Sequence, residues 1–213
     1  MNDVTIYQPD FNHQDVDVLA TTSRYQGFVQ VEAVQLRHRL FATGQWSAVF
    51  EREIVRRRAA AGVLVHDPKQ KKFLLIEQFR AATLHTYNTP WQLEIIAGLI
   101  EDGEDATTCL KREALEEAGC QLNTLQFIYQ YHPSGGASDE VFDFYVATTD
   151  LSQCGGVYGE NTEHEDIKIH LFDYNDIAYL LQKGLIRNAP AIIALQWLQL
   201  FLTTLGTNSE DIE

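Results

Sequence analysis

A run of acids at fixed helical spacing constrains this chain more than any other feature. Gly98-Leu99-Ile100-Glu101-Asp102-Gly103-Glu104 is followed by Arg112-Glu113-Ala114-Leu115-Glu116-Glu117-Ala118-Gly119-Cys120. Asp105 to Ala118 reads as one helix, because Ala106, Leu110, Ala114 and Ala118 recur every fourth residue and Leu115 widens the stripe. Asp102-Gly103 turns the chain into it, acids sit near its first turn, and Gly119 is a natural stop. Glu113 and Glu117 stand four residues apart and point the same way, with Glu116 flanking them. Like charges at that spacing destabilise an isolated helix by about 0.2–0.5 kcal/mol, which a cation between them would more than offset. A lone pair of such glutamates is ordinary solvated surface. Here a glycine-led loop, Glu104 and Arg112 coincide with the pair, and the spacing predicts a carboxylate metal site. Oxygen donors of this kind suit Mg2+, or Mn2+, rather than Zn2+.

The cysteines do not compete for that role. Cys109, Cys120 and Cys154 form no C-x-x-C pair and have no matching histidine cluster. An odd, scattered set fits a reducing cytosol, so a cytoplasmic location is expected, with Cys109 and Cys120 as small core residues. The 213 residues, 45% hydrophobic, can bury a core as one domain with an N-terminal extension. No 18-residue apolar run and no basic-then-apolar N-terminus is present, which predicts no membrane association. A net charge of −14 argues against nucleic acid as a partner. A small anionic substrate would then need local cations. Arg52, Arg56, Arg57 and Arg58 form the densest basic cluster, with Arg80 further on; solvated surface is the plain alternative.

Along the chain, Phe28 to Leu36 reads as a strand, with Ala42-Thr43-Gly44-Gln45 turning into a second. Ala60–Val65 and Lys72–Glu77 read as strands around the Asp67-Pro68 turn, and Trp91 to Ala97 as another leading into the Gly98 loop. Further strands are expected near Leu125–Tyr131, Val141–Ala147 and Ile167–Phe172, then helices over Asp173–Lys183 and Ala189–Leu205. Such an order implies an α/β sandwich around a central mixed sheet. The expected division is a β-rich extension over 1–55, a catalytic domain over 56–206 and an acidic, flexible tail over 207–213.

The block Gly98 to Cys120 fits G-x5-E-x7-R-E-U-x-E-E-x-G-U, and the chain therefore resembles the Nudix hydrolases. Ala114 and Cys120 replace larger aliphatics, but no acid is missing. Tyr25-Gln26-Gly27-Phe28, Arg52-Glu53-Ile54, Ile76-Glu77-Gln78-Phe79-Arg80, Glu163-His164-Glu165-Asp166-Ile167 and Asn188-Ala189-Pro190 further resemble the ADP-ribose pyrophosphatase branch. That resemblance implies a Nudix α/β/α sandwich and a Mg2+-dependent homodimer that hydrolyses ADP-ribose to AMP and ribose 5-phosphate. It implies metal binding by the Ala97 carbonyl, Glu113, Glu117 and Glu165, with Glu116 in support. Gly98, Glu104, Arg112 and Gly119 would hold the box together, and Glu163 matches the catalytic base. Phe28 matches the adenine-stacking aromatic, and Val29, Arg52, Glu53 and Arg57 match other substrate contacts, some reaching a partner subunit. Arg80 and the Leu99 backbone match positions on the diphosphate and ribose.

The chemistry itself needs metal ions to neutralise the diphosphate and acidify a bound water, a carboxylate to take the proton, and cations on the non-bridging oxygens. One stretch departs from the branch. His132-Pro133-Ser134-Gly135-Gly136 exchanges the usual serine and proline, so Ser134, Gly135 and Asp139 match substrate-loop positions in a loop of altered shape. Another nucleoside-diphosphate sugar, such as GDP-mannose, is the nearest alternative substrate. A non-catalytic ADP-ribose sensor is the distant alternative; degenerate box acids or a DNA-binding domain would mark it, and neither is legible.

Overall fold

Three strands at the start of the chain form an antiparallel meander. They are β1 (Val16–Gln26), β2 (Gln30–His38) and β3 (Phe50–Arg56), in that spatial order. The structure, a computed structural model, describes residues 7–160, 162 and 164–210. It divides the chain into two units: one runs to Arg57 and adds Ser134–Glu140, and the other takes Arg58–Pro133 and the chain from Val141 onward.

In the first unit the predicted strand Phe28–Leu36 is corrected at its start. The Gly27 N–H donates to the Val29 carbonyl at 3.0 Å, so Phe28 and Val29 belong to the β1–β2 turn. Phe28 stands at its tip, 92% exposed, and so is not a core aromatic. β1 lacks a clear apolar alternation and is exposed almost throughout, which is why no periodicity announced it. Residues 134–140 join this unit along β3: the Val55 N–H donates to the Ala137 carbonyl at 2.9 Å, and the Asp139 N–H to the Val55 carbonyl at 3.3 Å.

The second unit is built on a mixed sheet. Its strands are β4 (Ala60–Asp67), β5 (Lys72–Phe79), β6 (Trp91–Glu94), β7 (Ile96–Leu99), β8 (Thr124–Tyr131), β9 (Phe142–Thr148), β10 (Val157–Tyr158) and β11 (Ile167–Asp173). The order is β10-β11-β5-β4-β9-β8, with β6 beside β5 and β7 beside β4. β4 and β9 run parallel and the other pairs antiparallel. The helices are α1 (Ala106–Ala118), α2 (Ile177–Gln182) and α3 (Ala189–Glu210). β4 is buried along its whole length because helices cover both faces. Ala60 and Leu64 pack with Leu195 and Leu198 of α3, whereas Ala61, Val63 and Val65 pack with Leu110, Ala114 and Ala118 of α1. That is an α/β/α sandwich.

Two predicted boundaries change. The strand read as Trp91–Ala97 is two strands, broken at Ile95 as the chain crosses from the edge of β5 to that of β4. Gly98 therefore lies within β7, opposite Ala61, rather than in a loop. α3 continues past Leu205 to Glu210, so residues 207–210 prolong the helix; 211–213 lie outside the described residues. Among the described residues, no helix is long and apolar enough to cross a membrane.

Candidate active site

α1 is fixed at both ends by its own sequence. The Asp105 side chain accepts from the Thr108 N–H at 2.7 Å, which caps the first turn. Gly119 takes the left-handed conformation (φ 59°), with the Gly119 N–H on the Leu115 carbonyl and the Cys120 N–H on the Ala114 carbonyl. The acids between are thereby held at a set height and rotation above β7.

Two carboxylates reach into the interface of α1 with β7. Glu117 is 3% exposed, and one of its oxygens accepts from the Ala97 N–H at 3.1 Å. Burial, together with the like charges of Glu113 and Glu165, pushes its carboxyl well above the ordinary value. Burial also pushes Glu113 up to about 7, against the pull of Arg112. Glycine at 98 is required by Glu113: a Cβ there would lie 2.6 Å from its Cγ and closer still to its carboxylate.

Arg112 is the local counter-charge. Its guanidinium contacts Glu104 at 3.2 Å through two nitrogens, Glu113 at 2.8 Å and Glu116 at 3.0 Å. Glu104 also accepts the Glu101 N–H at 3.1 Å, so the arginine ties the loop after β7 to the helix. On the other side, Gly159 donates its N–H to the Glu116 carbonyl at 3.2 Å, seating the chain after β10 on α1. That segment leads to Glu165, whose carboxylate accepts the Glu160 N–H at 3.3 Å.

Arg80, just beyond β5, makes a forked pair with Glu94 at 2.8–3.3 Å. Burial disfavours its charge, but Glu94 first, then Glu117 and Glu165, hold it above the ordinary value. Glu94 was not among the residues picked out from the sequence. Its signal was available: an acid inside the otherwise apolar stretch Leu93-Glu94-Ile95-Ile96. Cys109 and Cys120 are fully buried thiols pushed up to about 12 by burial, which suits packing and not nucleophilic attack.

The predicted site residues fall into two sets. Arg80, Ala97, Gly98, Leu99, Glu104, Arg112, Glu113, Glu116, Glu117, Gly119 and Glu165 belong to the second unit. Phe28, Val29, Arg52, Glu53, Arg57, Ser134, Gly135 and Asp139 belong to the first. Glu163 lies outside the described residues. Within the first unit, Asp139 accepts from the Arg57 N–H at 2.9 Å and from Arg56 at 3.0 Å. Burial works against its charge, but those two donors bring its carboxyl below the ordinary value. Arg56 also holds Glu32 at 2.7 Å, while the Arg52 guanidinium lies over the Phe50 ring at 4.7 Å.

The donors fit a divalent cation in kind. Glu113 and Glu117 are hard oxygen ligands whose burial leaves their negative charge under-compensated, and the Gly98 space admits one of them against the strand. Among the described residues, no three His, Cys, Asp or Glu side chains already converge on one point.

Known proteins resemble this chain over most of its length. The family model described as NUDIX domain matches residues 56–195. The ADP-ribose pyrophosphatase of Escherichia coli (strain K12) is 38% identical over 190 residues, covering 89% of this chain and 90% of that protein. Its Haemophilus influenzae (strain Rd) counterpart of the same name is 37% identical over 193 residues, covering 89% and 88%. The GDP-mannose pyrophosphatase of Escherichia coli O1:K1 is 30% identical over 151 residues, covering 70% and 78%. Among solved structures, an ADP compounds hydrolase superposes with a TM-score of 0.68 at 20% identity, covering 91% of this chain and 97% of the other.

Proposed function

The chain belongs to the NUDIX domain family, and from that membership we propose that it hydrolyses the diphosphate of ADP-ribose, giving AMP and ribose 5-phosphate. The observation that carries the reading is the pair of carboxylates, buried Glu117 and half-buried Glu113, set against a strand that has a glycine where Glu113 needs the room. Similarity to proteins named ADP-ribose pyrophosphatase over nearly the whole chain supports the substrate. The weaker and shorter match to a GDP-mannose pyrophosphatase makes GDP-mannose the second reading.

Nudix hydrolases use divalent metal ions, and Mg2+ is the ion that this donor set favours. When bound, it would neutralise the diphosphate and lower the pKa of an attacking water. Glu113, Glu117, Glu165 and the Ala97 carbonyl would hold it, with Glu116 in support. Arg112 keeps Glu113 and Glu116 oriented and braces the preceding loop through Glu104. Glu163 would take the proton of the water as it attacks phosphorus. Arg80, aimed by Glu94, would stabilise charge on the non-bridging oxygens, with Arg52 assisting. Phe28 would stack on adenine, and Val29, Glu53, Arg57, Leu99, Ser134, Gly135 and Asp139 would complete the substrate contacts. A cytoplasmic homodimer whose sites are shared between subunits is part of the same proposal.

The test is turnover with Mg2+, comparing kcat/KM for ADP-ribose and GDP-mannose and identifying AMP among the products. Glu163→Gln is expected to lower kcat by about 10²–10⁴-fold with metal affinity nearly intact. Near-normal turnover would move the base to another acid, and no AMP from the native protein would end the reading.

A further inference from the structure

A cavity of about 700 Å³ in the second unit is unconnected with the acids of α1. It includes His66, near the end of β4, whereas Gly98 pairs with Ala61, near the start of that strand. The interval is about 16 Å at the rise of a β-strand. The faces differ as well. His66 is in phase with Leu64, which packs towards α3, while Ala61 packs towards α1.

One wall is aromatic. Trp197 and Phe201 stand one helical turn apart on α3 with their rings stacked, 5.0 Å between centroids and 10° between planes. Phe201 is 38% exposed, so the stack has a face left to cover. His66 contributes a polar atom. It is 4% exposed, and its Nδ1 lies 2.6 Å from the Tyr174 hydroxyl. Among the described residues, Nδ1 is the only ring nitrogen of His66 with a hydrogen-bond partner. Burial disfavours the charged form of the His66 ring, and in either neutral tautomer Nε2 has one unused hydrogen bond.

Lys71 supplies charge at the same cavity. It holds a left-handed backbone (φ 55°), a conformation that favours glycine, and its carbonyl accepts the Tyr174 N–H at 2.9 Å. Its ammonium is exposed, with no carboxylate in ion-pair range among the described residues. In a chain of net charge −14, an unneutralised lysine beside an uncovered aromatic stack is complementary to an anion with a flat ring.

We propose that this cavity is a second ligand site, for a planar heteroaromatic molecule carrying an anionic group. The ring covers Phe201, a ring nitrogen or oxygen meets His66 Nε2, and the anion meets Lys71. The volume lies within the usual range for small-molecule pockets. A nucleoside monophosphate and an aromatic carboxylate share this chemistry, and the test separates them.

Calorimetric titration with AMP and, separately, indole-3-acetate is run on the native chain, Phe201→Ala and Lys71→Gly. At least one probe is expected to bind with Kd at or below about 1 mM. Phe201→Ala should weaken it about tenfold or more through lost stacking, and Lys71→Gly about fivefold or more. Lys71→Gly should melt no lower than the native chain, since glycine suits that backbone, so lost binding is not lost folding. Turnover should be unchanged in both variants. AMP is also the product of the proposed reaction, so only AMP binding that Phe201→Ala and Lys71→Gly weaken identifies a nucleotide site here. Indole-3-acetate binding weakened in the same way identifies an aromatic-acid site. AMP binding that neither variant weakens belongs to the catalytic site and overturns the nucleotide reading. The proposal is overturned if neither probe reaches that affinity, if both variants bind like the native chain, or if a crystal shows residues 205–213 filling the cavity.

Discussion

Gly98→Ala should disable the site through a single methyl group. The added Cβ would sit 2.6 Å from Glu113 Cγ and nearer still to its carboxylate, so the two cannot coexist. The backbone on either side cannot yield cheaply: Gly98 is paired to Ala61 in β7, and α1 packs on the strand through fully buried Leu110 and Ala114. Glu113 must therefore swing away and break its 2.8 Å contact with Arg112. Overpacking of this kind costs about 1–3 kcal/mol, or about 2–12 °C in Tm for a chain of this size. Saturating Mg2+ at ~100-fold over Kd should raise the native Tm by about 5–11 °C, corresponding to ~2.7 kcal/mol. In the variant that increment should shrink, with metal affinity at least ~10-fold weaker. Thermal melts with and without Mg2+ measure both. The decisive control is the same substitution in a Glu113→Ala background, where the space is vacant. There Gly98→Ala should be neutral or stabilising by about 0.5–1 kcal/mol, as alanine is in a strand interior. An equal cost in both backgrounds would refute the steric argument.

Three other outcomes are expected. Glu94→Gln releases Arg80 towards Glu117 and Glu165, so the Mg2+ concentration needed for half-maximal rate should rise by about 3–10-fold, with KM for substrate also raised; unchanged metal dependence would mean that Glu94 does not restrain Arg80. Asp67, 4% exposed, accepts from the N–H groups of Lys69, Gln70 and Leu151 and from the Gln70 side chain at 2.8–3.2 Å. Burial raises its pKa, but these donors lower it further, to a value below the ordinary one. Its contribution is thus complete above the unfolded-state pKa and lost as pH falls through the folded value. Asp67→Asn should cost about 1–3 kcal/mol at pH 7 and progressively less below about pH 4; a Tm difference that stays constant from pH 7 to 3 would contradict this. Phe28→Ala, at a 92% exposed position, should change stability by less than about 0.5 kcal/mol while raising KM for ADP-ribose. An unchanged KM rejects adenine stacking there.

The parts of the site legible in the sequence are those in which one helix does the positioning. The spacing of Glu113, Glu116 and Glu117 fixes their relative directions wherever the helix lies, and the Gly119 stop marks its end; the cap by Asp105, read from the sequence as the first helical residue, came from the structure. The alternation of β4 was hidden because both faces are buried, but its apolar run between turns marked a central strand. What stayed hidden depends on tertiary crossing. The break at Ile95 arises because the chain leaves one strand edge for another, and a continuous apolar stretch carries no sign of that. The fork of Glu94 on Arg80 depends on the register of β6 against β5, which residue pattern alone does not fix.

The grouping of the predicted residues by unit has the same origin. Every predicted substrate contact outside the box, apart from Arg80, lies in the first unit, including Ser134, Gly135 and Asp139, which are distant in sequence from its three strands. The connection is made through Asp139, held by the Arg57 N–H and the Arg56 guanidinium, and through the pairing of residues 137–139 with Val55. Arginine at 56 therefore has a structural occupation that its place in a basic cluster did not reveal: it neutralises Glu32 and Asp139 together. Arg52 has no carboxylate in ion-pair range among the described residues, its guanidinium resting on the Phe50 ring. One of its N–H groups donates to the Glu51 carbonyl at 2.9 Å and none meets a carboxylate among the described residues, whereas Arg56 is forked between two. Within that cluster, substrate contact is assigned to Arg52 and Arg57 by resemblance, and the carboxylate partners of Arg56 are compatible with its having no part in that assignment.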